Sequence, residues 1–239
     1  MRWRALIATL AIAGAAAGIA VYAWPATAKP LKPLVIRSAA ARRLPVIGTL
    51  RGVYYPQDFD LSQLIPRGSR INRVWYSPAR KHHQQVLVEW TDRDRYIRWG
   101  HLRQRIARWG LTLWSSAGPG WRAVRIPVIE FPGPSPADIH IAFADVTGDG
   151  RADLLFEQDP GTNHGCGPHR IFTTSASGVT TQAFSSYLCE TILHGDHGLL
   201  ALDMPYYLHN DSMCCATYHE HLRLRWNGRQ YVTASLHIS

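Results

Sequence analysis

The segment Asp145–Asp153 has the clearest metal-binding spacing in the chain. Oxygen-bearing side chains occupy loop positions 1, 3, 5 and 9, and Gly150 lies at position 6, where a tight turn favours a residue without Cβ. Calcium binds roughly six to eight oxygens in a flexible shell, and carboxylates this close together repel one another without a cation. The spacing therefore predicts a bound Ca²⁺ ion. The expected ligands are Asp145, Thr147, Asp149, the carbonyl of Arg151, and Asp153.

The residues around this loop distinguish it from an EF-hand. Position 12 is Phe156 instead of a bidentate Glu, and the flanks Ile139–Phe143 and Leu154–Phe156 have the pattern of strands. A calcium loop between strands resembles the FG-GAP/VCBS-type repeat of integrin α-subunit propellers and secreted bacterial proteins. The resemblance covers roughly residues 139–158 in a single copy, without the family's Phe-Gly and Gly-Ala-Pro segments. It implies a calcium ion that rigidifies the loop, and it does not imply a catalytic activity. The alternative is an Asp/Gly-rich turn without a metal.

Histidine forms the second chemical group, since nine of the twelve His lie at residue 140 or later. His194 and His197 are close in sequence, and His219 and His221 share one face of a strand because side chains alternate. Imidazoles are ligands for Zn²⁺ or Cu²⁺, but these spacings match no standard metalloenzyme string. Packing and surface roles are favoured. The alternative is a metal-dependent hydrolase in which these four histidines converge in one pocket.

Other enzyme signatures are missing from the sequence. It has no G-x-S-x-G, G-x-G-x-x-G or P-loop string. Nine tryptophans are a high number, and a β core is their favoured place because large aromatic side chains bury extensive apolar surface. Aromatic rings beside arginines also suit acidic glycans, so the partners considered are cell-wall or acidic glycan and another envelope protein.

The first 45 residues predict export. Arg2 and Arg4 precede the uncharged run 5–28, which is typical of a secretory signal peptide or, if uncleaved, of a membrane anchor. The small residues Ala26-Thr27-Ala28 suit cleavage before Lys29, and residues 29–45 have the Pro and Arg content of an extended stalk. Both alternatives place the remaining chain outside the cytoplasm, secreted or tethered by one segment.

The cysteines support this location. An even count in an exported chain predicts disulfides, and four cysteines allow three pairings. Neighbouring residues on an extended chain point to opposite faces, so Cys214 and Cys215 are expected to pair separately with Cys166 and Cys189, in an order left open. Free buried thiols are the alternative.

The net charge of +9 divides unevenly along the chain. Residues 1–110 hold 19 Lys and Arg against five acids, whereas residues 111–239 hold seven against twelve. A basic chain invites a nucleic-acid function, but export argues against it. The sequence therefore predicts no nucleic-acid partner.

Strand patterns dominate the body of the chain. Strand–turn–strand units are predicted around Gly118-Pro119-Gly120 and around Asn227-Gly228, and Asp94–Trp109 has helical spacing. Pro132–Pro136 divides a basic, Trp-rich β region, 46–131, from an FG-GAP-like β region, 137–239. The expected fold is mainly β, with antiparallel propeller-like or sandwich-like sheets and one short helix. Further strands are predicted at 86–90, 111–114, 121–126, 139–144, 153–157, 170–174, 179–184, 199–203, 222–226 and 230–234.

The expected function is that of a calcium-stabilised β domain with a binding or structural role at the cell envelope. The sequence favours no reaction over this role.

Overall fold

The structure, a computed structural model, describes residues 41–78, 83–92, 95–99, 101–106, 109–128, 138–159, 166–206 and 216–239. Within these ranges the chain forms sixteen strands and two single-turn 3-10 helices, Pro56–Asp58 and Leu61–Leu64. The strands are β1 (Arg42–Arg43), β2 (Val46–Arg51), β3 (Arg70–Tyr76), β4 (Gln85–Thr91), β5 (Arg95–Trp99), β6 (Leu102–Ile106), β7 (Trp109–Ala117), β8 (Gly120–Ile126), β9 (Asp138–Ala144), β10 (Asp153–Asp159), β11 (Cys166–Thr174), β12 (Thr180–Cys189), β13 (Ile192–Asp196), β14 (Leu199–Tyr206), β15 (Tyr218–Trp226) and β16 (Tyr231–Ile238).

These strands form three large antiparallel sheets and one hairpin. The front sheet has the order β2-β8-β7-β4-β3, the middle sheet β1-β12-β11-β10-β9, and the end sheet β13-β14-β15-β16. The hairpin β5–β6 is inserted between β4 and β7. Strands next to each other in sequence are mostly paired, as expected when short turns connect antiparallel strands. The predicted mainly β, antiparallel fold is confirmed.

The middle sheet is apolar on both faces and lies between the other two sheets. Leu154 and Phe156 on β10 pack into a cluster with Leu87 and Leu113 of the front sheet. Leu155, between them, packs into a second cluster with residues of the end sheet. Alternation along one strand thus fills two cores, and the arrangement is sandwich-like.

A third cluster covers the outer face of the front sheet. Phe59, which follows the first 3-10 helix, stacks edge-on against Trp121 with ring centroids 4.6 Å apart. The indole nitrogens of Trp121 and Trp114 donate to the carbonyls of Val53 and Leu64 at 3.0 and 3.3 Å. The predicted core role is confirmed for the four tryptophans that are buried in the described part of the chain. These are Trp90, Trp109, Trp114 and Trp121.

The regions before and after residues 132–136 share a core. The cluster between the front and middle sheets draws Val124 and Ile126 from one region and Ile139 and Phe172 from the other. All described residues belong to one compact unit, 36–239. The predicted strands lie within β4, β7–β12 and β14–β16 with small differences at their ends.

The helix expected over Asp94–Trp109 is wrong, because Arg95–Trp99 forms β5 and Leu102–Ile106 forms β6. Trp99 and Leu102 face each other in register, which leaves two residues between the strands. The antiparallel pairing of β5 with β6 therefore outweighs the loose helical spacing of this stretch.

The disulfide pairing expected from the sequence is also wrong. Cys166 and Cys189 face each other across β11 and β12, with Cα atoms 3.8 Å apart, and are bonded to one another. Antiparallel register brings them together, which the adjacency of Cys214 and Cys215 could not reveal. Those two cysteines lie outside the described residues.

The N-terminal predictions fall mostly beyond the described part of the chain. The signal or anchor segment 1–28 lies outside it, and of the stalk 29–45 only residues 41–45 are described. There, Arg42 and Arg43 pair with Gln182 and Thr181 at the edge of the middle sheet. Among described residues no helix has the length and hydropathy to cross a membrane.

Loss of the disulfide should destabilise the middle sheet. Closing a loop of 23 residues in the unfolded chain corresponds to about 3 kcal/mol in the chain-entropy model. We expect Cys166→Ser/Cys189→Ser to lower the free energy of unfolding by about this amount, measured by urea denaturation. Ser186→Ala on the same strand is the control. Equal stability of the double variant and the wild type would contradict the bond.

Candidate calcium loop and histidine face

The predicted calcium loop connects β9 to β10. Asp145, at its start, is held by three backbone amides: Gly148 and Asp149 donate to its Oδ1 at 2.8 and 3.1 Å, and Gly150 donates to its Oδ2 at 2.8 Å. Gly148 and Gly150 have φ values of 74° and 80°, in the left-handed region that glycine tolerates. The glycines of the motif therefore let the backbone curl around the Asp145 carboxylate.

Asp149, the second carboxylate of the loop, is paired with the guanidinium of Arg151. Asp149 accepts the backbone amide of Arg151 at 2.9 Å and forms an ion pair with the Arg151 guanidinium. The same guanidinium donates through Nε to the carbonyl of Thr174 at 2.9 Å. Arg151 thus links the loop to the end of β11.

Asp153 is the buried acid of the loop, with no solvent exposure. Its Oδ2 accepts the backbone amides of Val146 and Thr147 at 3.0 and 3.1 Å and the Thr147 hydroxyl at 3.0 Å. Its Oδ1 is buried and has no hydrogen-bond partner among the described residues. Burial raises the pKa of Asp153 to about 7, against the lowering effect of the Thr173 and Thr147 side chains and the Val146 amide, while the Asp149 charge adds to the rise.

The oxygen atoms of this loop are of the chemical type that a hard cation binds, but they do not all converge on one point. Carboxylate, hydroxyl and carbonyl oxygens are what Ca²⁺ prefers, and the bare Oδ1 of Asp153 is an acceptor without a donor. In the described part of the chain, however, no three His, Cys, Asp or Glu side chains converge as a ready metal site. The predicted ligands share one loop, in which Asp145 and Asp149 bond to the loop itself.

The calcium loop contacts the end sheet. A Cβ atom at Gly198, in the β13–β14 turn, would lie 3.2 Å from the Gly148 Cα, and one at Gly195 would lie 2.8 Å from the Ala144 Cβ. From β16, the Tyr231 hydroxyl donates to the Val146 carbonyl at 3.4 Å. The conformation of the loop therefore affects how the end sheet packs against the middle sheet.

The histidine face lies on the outer side of the end sheet and is defined by His194, Asp203, His221 and His237. The Oδ1 atom of Asp203 is hydrogen-bonded to Nδ1 of His221 at 2.7 Å. The Oδ2 atom of Asp203 lies 3.5 Å from Nδ1 of His194. His221 Nε2 bonds to the Ser239 hydroxyl at 3.1 Å, and its ring stacks on His237 with centroids 6.2 Å apart. The four residues line a polar cavity of about 400 Å³.

The structure brings together two of the four predicted histidines. His194 and His221 share Asp203, whereas His197 is almost fully exposed in the β13–β14 turn, next to Asp196 at 3.8 Å. His219 is on the outer side of β15 and does not line the cavity. Sequence reasoning missed Asp203 and His237, although cross-strand register with His221 relates them.

Comparison with known proteins gives no family model, curated protein or solved structure that matches this chain. The resemblance to an FG-GAP/VCBS repeat stays a prediction based on residues 139–158.

The raised pKa of Asp153 predicts a pH dependence in metal-free protein. Between about pH 4 and 7 the folded state keeps the Asp153 proton while the unfolded state releases it, so stability falls as pH rises through this window. We expect the free energy of unfolding of the wild type to lose up to about 4 kcal/mol more across this window than that of Asp153→Asn. Urea denaturation in chelator measures both. Parallel pH profiles would contradict the buried, proton-binding carboxyl.

Proposed function

We propose that the chain is an exported or membrane-anchored, calcium-stabilised β domain with a binding or structural role at the cell envelope. One observation carries the calcium assignment: the fully buried Asp153 presents an unpartnered oxygen within a loop that holds two further carboxylates. Leaving a buried polar atom without a partner costs about 1–3 kcal/mol, more if it is charged. A cation in the loop would remove this cost.

Calcium would be held by Asp145, Asp149, Asp153, Thr147 and the carbonyl of Arg151. Bound calcium supplies positive charge that favours the ionised form of Asp153 and offsets repulsion among the carboxylates. Because Gly148 of the loop contacts Gly198 of the β13–β14 turn, a rigid loop would also stabilise the packing of the end sheet against the middle sheet. The role of the metal would be structural.

Export is supported by the Cys166–Cys189 bond, since structural disulfides persist mainly in oxidising compartments. It agrees with the signal-type pattern of residues 1–28. A domain outside the cytoplasm also meets calcium at far higher concentration than a cytoplasmic one, so even a site of modest affinity would be filled there.

Calcium should raise the melting temperature. A ligand that binds only the folded state at one hundred times its Kd contributes about 2.7 kcal/mol, or roughly 5–10 °C for a domain of this size. We expect chelator to lower the Tm of the wild type by this amount in a calorimetric scan, and Asp149→Ala to abolish the chelator effect. The matched control is Asp138→Ala, an exposed acid on β9. An unchanged wild-type Tm in chelator would end the calcium proposal.

A second candidate is an extracytoplasmic metal-dependent hydrolase acting at the histidine face. The observation that favours it is Asp203, which bonds to His221 at 2.7 Å and lies 3.5 Å from His194, beside a cavity of about 400 Å³. Metal-binding histidines commonly donate their other ring nitrogen to a carboxylate, and Zn²⁺ or Cu²⁺ would activate a water molecule there.

This candidate predicts stoichiometric Zn²⁺ or Cu²⁺ in the purified protein and hydrolysis of a chromogenic ester. Asp203→Asn should lower the rate about 10–100-fold, the usual effect of removing a carboxylate that orients a ligand. His197→Asn, nearly fully exposed and outside the cavity, should have no effect. Elemental analysis without either metal, together with no ester hydrolysis, would eliminate the hydrolase.

A further inference from the structure

One edge of the molecule is basic and free of acids. At this side β1 is the edge strand of the middle sheet, with β12 next to it, and β2 is the edge strand of the front sheet, with β8 next to it. These four strands contain five arginines and no Asp or Glu. Four of the arginines, which we name the basic edge, are Arg42, Arg43, Arg51 and Arg122. The fifth, Arg125, lies over the ring of Trp90 at 5.3 Å.

The basic edge is unpaired, unlike several other arginines. Arg73, Arg151 and Arg223 each form an ion pair with an acid of their own sheet or loop. Among the contacts of the described residues, none of the basic-edge arginines has an acidic partner. Arg42, Arg43 and Arg51 are exposed, and Arg122 is half-buried. Guanidinium groups without partners retain all five donors for a ligand.

Two of these arginines line one cavity. Arg51 and Arg122 contribute to a space of about 420 Å³ between the end of β2 and the β7–β8 turn. Its wall depends on Gly120, where a Cβ atom would lie 2.3 Å from the Leu50 carbonyl oxygen, and on the bond from the Gly52 amide to the Pro119 carbonyl at 2.9 Å. Two arginines are thus held beside a preformed concave surface.

Two exposed aromatic residues follow this cavity along the chain. Tyr54 and Tyr55 come directly after the Val53 carbonyl, which the Trp121 indole fixes at 3.0 Å. They are 65% and 60% exposed, among the most exposed large apolar side chains in the described part of the molecule. Aromatic faces pack against the apolar faces of sugar rings, and tyrosine adds a polar hydroxyl.

We infer that the basic edge and Tyr54–Tyr55 form a binding site for a polysaccharide whose sugar rings carry carboxylates. Arginine binds carboxylates with two parallel hydrogen bonds, so Arg51 and Arg122 select the charged groups of the chain. The tyrosines select the sugar rings. A lipid headgroup surface or a simple polyanion carries negative charge but does not present sugar rings alternating with carboxylates. The inference names the partner for the envelope role proposed above, and it does not depend on the calcium ion.

The test measures the affinity of full-length mature protein for hyaluronan oligosaccharides by calorimetric titration. We expect Arg51→Gln/Arg122→Gln and Tyr54→Ala/Tyr55→Ala each to weaken binding about tenfold or more, corresponding to loss of one or two charge-assisted or stacking contacts. The matched control, Arg225→Gln/Arg229→Gln, removes the same charge from the end sheet and should change the Kd less than about twofold. Added salt should weaken binding. Unchanged Tm values establish that the variants are folded.

The inference is overturned if hyaluronan does not bind, or if the control pair weakens binding as much as the site variants do. It is also overturned if anionic phospholipid vesicles or duplex DNA bind as tightly as hyaluronan and the Tyr54→Ala/Tyr55→Ala variant leaves that binding unchanged. Neutral dextran is expected not to bind, and tight binding of dextran would also contradict the role of the arginines. Tm in calcium and in chelator is measured on the same samples. Failure of glycan binding with an intact calcium effect therefore rejects the site and leaves the calcium proposal standing.

Discussion

The middle sheet has two apolar faces, and both must be covered for the chain to fold. Leu154 and Phe156 project toward the front sheet while Leu155, on the same strand, projects toward the end sheet. Burying such side chains stabilises the fold by about 25 cal/mol per Å² of apolar surface, which makes these two interfaces the main favourable contribution. The front and end sheets are each needed because neither alone can remove both faces from water.

The stacking of the three sheets determines where the calcium loop, the histidine face and the basic edge lie. The calcium loop joins β9 to β10 within the middle sheet, so it meets the β13–β14 turn of the end sheet at Gly198. The histidine face lies on the outer side of the end sheet, away from that interface, and is therefore polar and open. The basic edge lies where β1 ends the middle sheet and β2 ends the front sheet. Chemistry is left to loops and outer faces, while the strands provide rigid support.

Two buried carboxyl groups each have one oxygen without a hydrogen-bond partner among the described residues. Asp153 Oδ1 at the loop and Glu220 Oε1 on β15 both lack hydrogen-bond partners, and burial raises the pKa of each carboxyl. A carboxyl that must ionise in such a place weakens the fold, whereas a cation beside it reverses that effect. At Asp153, the cation proposed above would also be shared with the neighbouring Asp145 and Asp149. Glu220 has no comparable group assigned to it.

The sequence determined the local features of this protein. Alternating apolar residues and glycine turns predicted most strands, and the spacing of Asp145, Asp149 and Asp153 predicted one loop, because these signals extend over only a few neighbouring residues. Tertiary structure decided the rest. The disulfide partner of Cys166, the convergence of His194 and His221 on Asp203, and the cavity beside Arg51 and Arg122 depend on strand register and sheet order. Register is set by which faces must be buried, and that is a property of the whole chain and not of any single segment.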